Sequence, residues 1–157
     1  MDNTEKVKKI IEENIYCTIA MTSLDGKPWV SPVFFVYDEN YNIYWVSNKN
    51  SEHSRLLRVN PQAAIVIFDS QAPEGAGDGV YIKARVEELS NEEEIKEAIK
   101  FLNKRVTKEK FRVKGLGEVT ADGVWRIYKA LPETISTLTE GEYINGQYVD
   151  KRVEINL

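Results

Sequence analysis

Two runs of strand-forming residues, Tyr16–Ser23 (YCTIAMTS) and Pro28–Tyr37 (PWVSPVFFVY), are separated only by Leu24-Asp25-Gly26-Lys27. A gap this short permits a hairpin, because parallel neighbours need a crossover of about a dozen residues or more. Asp-Gly supplies the turn chemistry, since glycine accepts the positive φ that such turns demand. A third run, Ile43–Ser47, follows after another turn at Asp38–Asn42. The first three strands are therefore antiparallel neighbours, and a doubly wound parallel sheet is disfavoured.

The rest of the chain extends this reading. Val7, Ile10 and Ile11 recur at helical spacing within Thr4–Asn14, which predicts an amphipathic packing helix. A short helix begins after Ser51 and ends at Asn60-Pro61, and Ala63–Asp69 (AAIVIFD) reads as a largely buried strand. Ser70–Gly79 is a turn-rich connection to the strand Val80–Glu88. Its glycines do not form the dinucleotide-binding pattern. Asn91–Val106 is a helix with Ile95, Ala98, Ile99 and Leu102 on one face and a capping-box spacing at Asn91 and Glu94. Trp125–Leu131 and Glu133–Thr139 resume strand character on either side of Pro132, and Asn145-Gly146 marks a further hairpin. The expected fold is mainly β (α+β): six or seven antiparallel strands in a closed or nearly closed barrel, flanked by helices.

Length and charge narrow the function classes. A chain of 157 residues fits one domain, residues 1–157, with a sizeable core. The net charge of -4 and the lack of any Lys/Arg run argue against nucleic-acid or anionic-membrane partners. Cys17 is the only cysteine and His53 the only histidine, so neither an intrachain disulfide nor a clustered Cys/His zinc site can be assembled. Cys17 lies in a strand-like run and reads as a small buried hydrophobe. The amphipathic N-terminus is neither a signal peptide nor a membrane span, and a cytoplasmic location is expected.

Chemistry concentrates in Tyr44–Asp69. Tyr44-Trp45-Val46 leads into Ser47, Asn48, Lys49, Asn50 and Ser51, and Ser51 is placed to cap the following helix. Hydroxyls, one cation and the first-turn amides of Glu52, His53 and Ser54 then meet at the positive end of a helix, where anions bind readily. Caps and turns use these same residue types, so the segment by itself is equally ordinary structural punctuation.

The segments TIAMTSLDGKPWVSPVFFVYDENYNIYWVSN, SEHSRLLRVNP and AAIVIFD, in that order, resemble the flavin-binding split barrels related to pyridoxamine 5'-phosphate oxidase. The loop Ser51-Glu52-His53-Ser54-Arg55-Leu56-Leu57, with Asn60-Pro61 behind it, resembles that family's phosphate loop. The resemblance implies a split barrel that forms a homodimer with flavin mononucleotide (FMN) at the interface. It implies that Ser31 to Val36 line one side of the flavin ring with Val33 and Phe34 nearest, and that Val46, Ser47, Lys49, Ser51 and His53 surround the phosphate. Gly79 falls near a ring-contacting position, and Trp125 resembles an aromatic that covers the flavin from the partner subunit.

Departures from the family pattern are informative. The oxidase carries Arg and Lys where this chain has Ser31 and Val36, and an Arg-Lys pair where it has Glu52-His53. Lys49, Arg55 or Arg58 would have to compensate for the lost cation. No C-terminal Arg-x-His segment is present, so genuine pyridoxamine phosphate oxidation is not expected. The resemblance implies an oxidoreductase acting on a small organic molecule, with no catalytic side chain required because the flavin supplies the chemistry. Alternatives are a deazaflavin coenzyme held by Lys49, Arg55, Arg58, Lys83 and Arg85, and a non-catalytic flavin- or haem-binding protein with His53 as iron ligand.

Overall fold

In the computed structural model, which describes residues 1–157, the first hairpin forms where the Asp-Gly turn predicts. Strand β1 (Tyr16–Thr22) pairs with β2 (Pro28–Phe34), Thr22 standing opposite Pro28, and Gly26 takes φ +82° in the turn. The second apolar run does not continue as one strand to Tyr37. It breaks at Phe35, and β3 (Val36–Tyr37) pairs instead with β4 (Ile43–Asn48). At the break the Phe35 N–H donates to the Ile15 carbonyl at 3.1 Å.

That break shapes the barrel. The remaining strands are β5 (Gln62–Phe68), β6 (Gly79–Glu88), β7 (Trp125–Ile144) and β8 (Gln147–Glu154), and the sheet order is β2-β1-β5-β6-β7-β4-β3 with β8 on β7. The two ends of the order, β2 and β3, are consecutive pieces of one run. The sheet therefore curls until its edges meet through the backbone at Phe35, as in an antiparallel split barrel of the α+β class.

Eight strands form where six or seven were expected, because β2 and β3 separate and the Asn145-Gly146 turn carries a further strand. Asn145 (φ 51°) and Gly146 (φ 80°) both adopt the left-handed conformation of a tight hairpin turn. Pro132 does not divide β7 as the sequence reading proposed. Ala84 faces Pro132 and Lys83 faces Thr134, so Glu133 is an extra residue at a β-bulge. A bulge is where a sheet tolerates a residue that lacks an N–H.

The helices form near their predicted positions. Helix α1 (Asn3–Glu13) is closed by a capping box between Asp2 and Glu5 and buries Val7 and Ile11. Ser51 caps α2 (Glu52–Val59), whose Leu57 enters the barrel core. Asn91 caps α3 (Glu92–Arg105) by accepting from the amides of Glu93 and Glu94, without the reciprocal half of a capping box. Short helical turns at Glu109–Phe111 and in α4 (Leu116–Val119) follow before β7.

Strand alternation divides the interior into two cores. Ile19, Phe35, Ile43, Trp45, Ile67 and Ile82 fill the barrel, while Val36, Tyr44 and Ile127 point outward beneath Ile95, Ala98 and Leu102 of α3. Arg105, at the end of α3, ties this layer to the seam. Its guanidinium donates to the carbonyls of Phe35 and Glu12, both at 3.0 Å, and lies 4.8 Å over the Phe35 ring. Cys17 is buried in the barrel core, and burial pushes its thiol up to about 12, leaving it protonated and inert at neutral pH.

Candidate functional site

Strand β4 organises the site because its last residues face opposite sides of the sheet. Ser47 follows Ile43 and Trp45 into the barrel, and Val46 follows Tyr44 outward. Four of the residues singled out in the sequence meet on the inner side, at the barrel mouth. His53 Nε2 lies 2.8 Å from Ser47 Oγ and 3.1 Å from Ser51 Oγ, while Nδ1 lies 3.2 Å from Ser31 Oγ. One imidazole thus joins β2, β4 and the N-terminus of α2.

The hydroxyl pattern assigns the imidazole protons. Ser51 donates to Ser54 Oγ at 2.8 Å, so it accepts from His53, which puts the ring proton on Nε2. Nδ1 is then the acceptor for the Ser31 hydroxyl. No carboxylate touches the ring, and burial lowers the His53 pKa below that of a free histidine. The neutral ring serves as a hydrogen-bonding strut, unlike a general base, which is oriented by an acidic partner.

Cation placement differs from the compensation considered for the missing Arg-Lys pair. Arg55 pairs with Glu52 one turn away, and Arg58 pairs with Glu88 at 3.0 Å while donating to the Lys49 carbonyl. Glu88 also accepts from Tyr128 Oη at 3.0 Å. Of the three cations proposed to substitute, Lys49 is the one without a carboxylate partner. Ser51 caps the Ser54 amide, which leaves the Glu52 and His53 amides as first-turn donors.

The outward side of β4 opens onto a different compartment. Phe34, Val46 and Trp125 line a mainly apolar cavity of about 510 Å³, closed on its far side by the segment between α3 and α4, including Phe111. Tyr16 meets Phe34 edge-to-face with ring centroids 6.1 Å apart. Trp125 stands opposite Asn48 in the sheet, so within one chain it faces the same cavity as Phe34 and Val46. The volume is that of an ordinary small-molecule pocket.

Two residues fall elsewhere. Val33 points into the barrel core, so it offers only its backbone to any ligand outside. Gly79 begins β6 opposite Phe68, at the end of that strand remote from Glu88 and the polar cluster. From the sequence Ser54 counts only for its amide, and neither its hydroxyl, buried beneath the cap, nor the 107–113 wall of the cavity is foreseen. The alternation of basic and aromatic residues in Lys108-Glu109-Lys110-Phe111-Arg112 was the available signal.

Residues 3–128 match the family model described as pyridoxamine 5'-phosphate oxidase. The chain belongs to this family. No curated protein sequence matches it. Among solved structures it resembles a heme binding protein from Mycobacterium smegmatis, with TM-score 0.73 and 17% identity over 98% of this chain and 58% of that one. This chain therefore spans little more than half of that protein's length. The heme storage protein HutZ of Vibrio cholerae superposes with TM-score 0.67 and 19% identity over 85% of this chain and 92% of that one. An FAD-binding protein from Mesorhizobium loti gives TM-score 0.63 and 19% identity over 87% and 94%. At these identities the likeness establishes the split-barrel fold.

Family membership also gives meaning to the departures seen in the sequence. The position where the oxidase has lysine is Val36, buried beneath α3, and Ser31 is engaged with His53. Neither is available to a substrate phosphate. No helix of the chain is long and apolar enough to cross a membrane.

Proposed function

We propose that the chain is a homodimeric FMN-binding flavoprotein that carries out two-electron oxidation or reduction of a small organic molecule. The observation that carries this reading is the division at the end of β4. Val46 faces an apolar, aromatic-walled cavity while the next residue belongs to a cluster of hydroxyls at a helix N-terminus. A flavin mononucleotide has the matching pair of parts, a flat apolar ring and a phosphate. Phe34, Val46 and Trp125 would hold the ring. Lys49, Ser51 and the first-turn amides of α2 would hold the phosphate, with Ser47, Ser31 and His53 keeping that turn in place.

The bound flavin supplies the electron chemistry, and the protein excludes water and orients both ligands. Trp29, Val30 and Phe68 are partly exposed large apolar residues on strands β2 and β5, which supports pairing of two chains. The haem reading is weaker on geometry, because both nitrogens of the only histidine are engaged by serine hydroxyls. The deazaflavin reading is weaker too, since Arg55 and Arg58 are paired and Lys83 lies in a separate cleft with Arg152.

Reconstitution with excess FMN followed by desalting tests the proposal. Close to one flavin per chain, sedimenting as a dimer, is the expected result; a colourless monomer would overturn it. Stopped-flow reoxidation by candidate acceptors then separates an enzyme, which turns over rapidly, from a passive flavin carrier.

A further inference from the structure

The wall of the cavity opposite β4 carries charge that the flavin reading does not use. Lys108, Lys110 and Arg112 line it against a single acidic residue, Glu118. Arg112 is partly neutralised by Glu109 at 3.1 Å, and Glu118 accepts from the Lys114 backbone amide at 3.1 Å. Lys108 and Lys110 pair with no carboxylate, and the Lys110 ammonium sits 5.0 Å over the Phe111 ring. On a chain of net charge -4 this is a local positive field over an apolar cavity.

We infer that this cavity takes, as the second ligand beside the flavin, a planar aromatic carboxylate. Its ring would lie on Phe111, against the flavin ring that Phe34, Val46 and Trp125 hold, and its anion at Lys108 and Lys110. Charge complementarity selects the anion, because the acidic remainder of the surface repels it and the two free ammonium groups attract it. The aromatic walls select a flat body, since offset and edge-on ring contacts contribute beyond area alone. A carboxylate on an apolar frame fits two unpaired lysine point charges, whereas phosphate favours a planar fork, and the one fork on this wall, Arg112, is shared with Glu109. The inference rests on the flavin reading only for its role as substrate; its binding part stands independently.

Equilibrium dialysis of the FMN-treated protein against 2-naphthoate and its neutral isostere 2-naphthamide tests it. Naphthoate should bind about fivefold or more tightly than the amide at low salt, a preference shrinking as salt screens the lysines. In the Lys108→Gln/Lys110→Gln variant the preference should vanish while the amide binds as before. The ratio of FMN to riboflavin affinity should not change in that variant. Equal binding of acid and amide, or a preference that survives the double substitution, overturns the inference. A fallen FMN-to-riboflavin ratio also overturns it, by giving the lysines to the flavin phosphate. Loss of flavin uptake with the naphthoate preference intact would instead sink the flavin reading and leave the anion site standing.

Discussion

The two sides of β4 differ in what holds them together. On the inner side, Trp45 is fully buried against Tyr128, with ring centroids 5.6 Å apart, and Ser47 is sealed beneath α2. On the outer side, Val46 and Trp125 border an open cavity, and Trp125 retains 49% of its exposure. Two compartments with opposite demands therefore share one strand. The inner side is held by packing and by the serine–imidazole bonds, with Trp45 Nε1 its one buried side-chain polar atom left without a partner; the outer side leaves its groups free for a ligand. Fold and function are separated here by the alternation of a single β-strand.

Substitutions should separate the two sides by their effect on stability. Trp45→Ala removes the largest buried side chain and should lower stability by about 3–5 kcal/mol, read from the urea midpoint. Leu57→Ala, which unpins α2 from the core, should cost about 2–4 kcal/mol and abolish FMN retention along with it. If FMN binding survives with α2 loosened, the phosphate is held elsewhere.

Smaller effects sharpen the same contrast. Ser47→Ala deletes the shortest bond to His53 and should cost about 1 kcal/mol, because Ser51 still receives Nε2–H. Protonation of His53 gives a pH signature. Its folded-state pKa lies below its unfolded value, so the folded state binds fewer protons as pH falls through the histidine range. Stability contributed by the neutral ring is therefore complete above the unfolded pKa and declines below it. The wild-type urea midpoint should drop more between pH 8 and pH 5 than that of His53→Gln, and parallel curves would mean that the ring is solvated. Trp125→Ala, on the outer side, should change stability by no more than about 0.5 kcal/mol yet weaken flavin and naphthoate binding. A large stability loss there would dissolve the distinction between the two sides.

Sequence legibility followed the range of each interaction. Asp25-Gly26, Asn145-Gly146 and the caps at Ser51 and Asn91 act over a few residues, and each formed where expected. Pro132 misled because its meaning depends on its strand partner: opposite Ala84, next to a bulge, it extends β7 instead of ending it. Phe35 misled for the reverse reason. Local composition favours one strand through Tyr37, and only barrel curvature requires the run to change partners there.

The candidate site shows the same boundary. Adjacency in the chain and capping chemistry are enough to put Ser47, Lys49, Ser51 and His53 around a capped helix start. Only the folded barrel brings Ser31, distant in the chain, to complete the cradle of His53 and commits Arg58 to Glu88, whereas Arg55 and Glu52 pair locally, one helical turn apart. It alone placed Lys108 and Lys110 across a cavity from Val46. The physical reason is that hydroxyl, carboxylate and cation partners are chosen by distance in space. Barrel closure sets those distances.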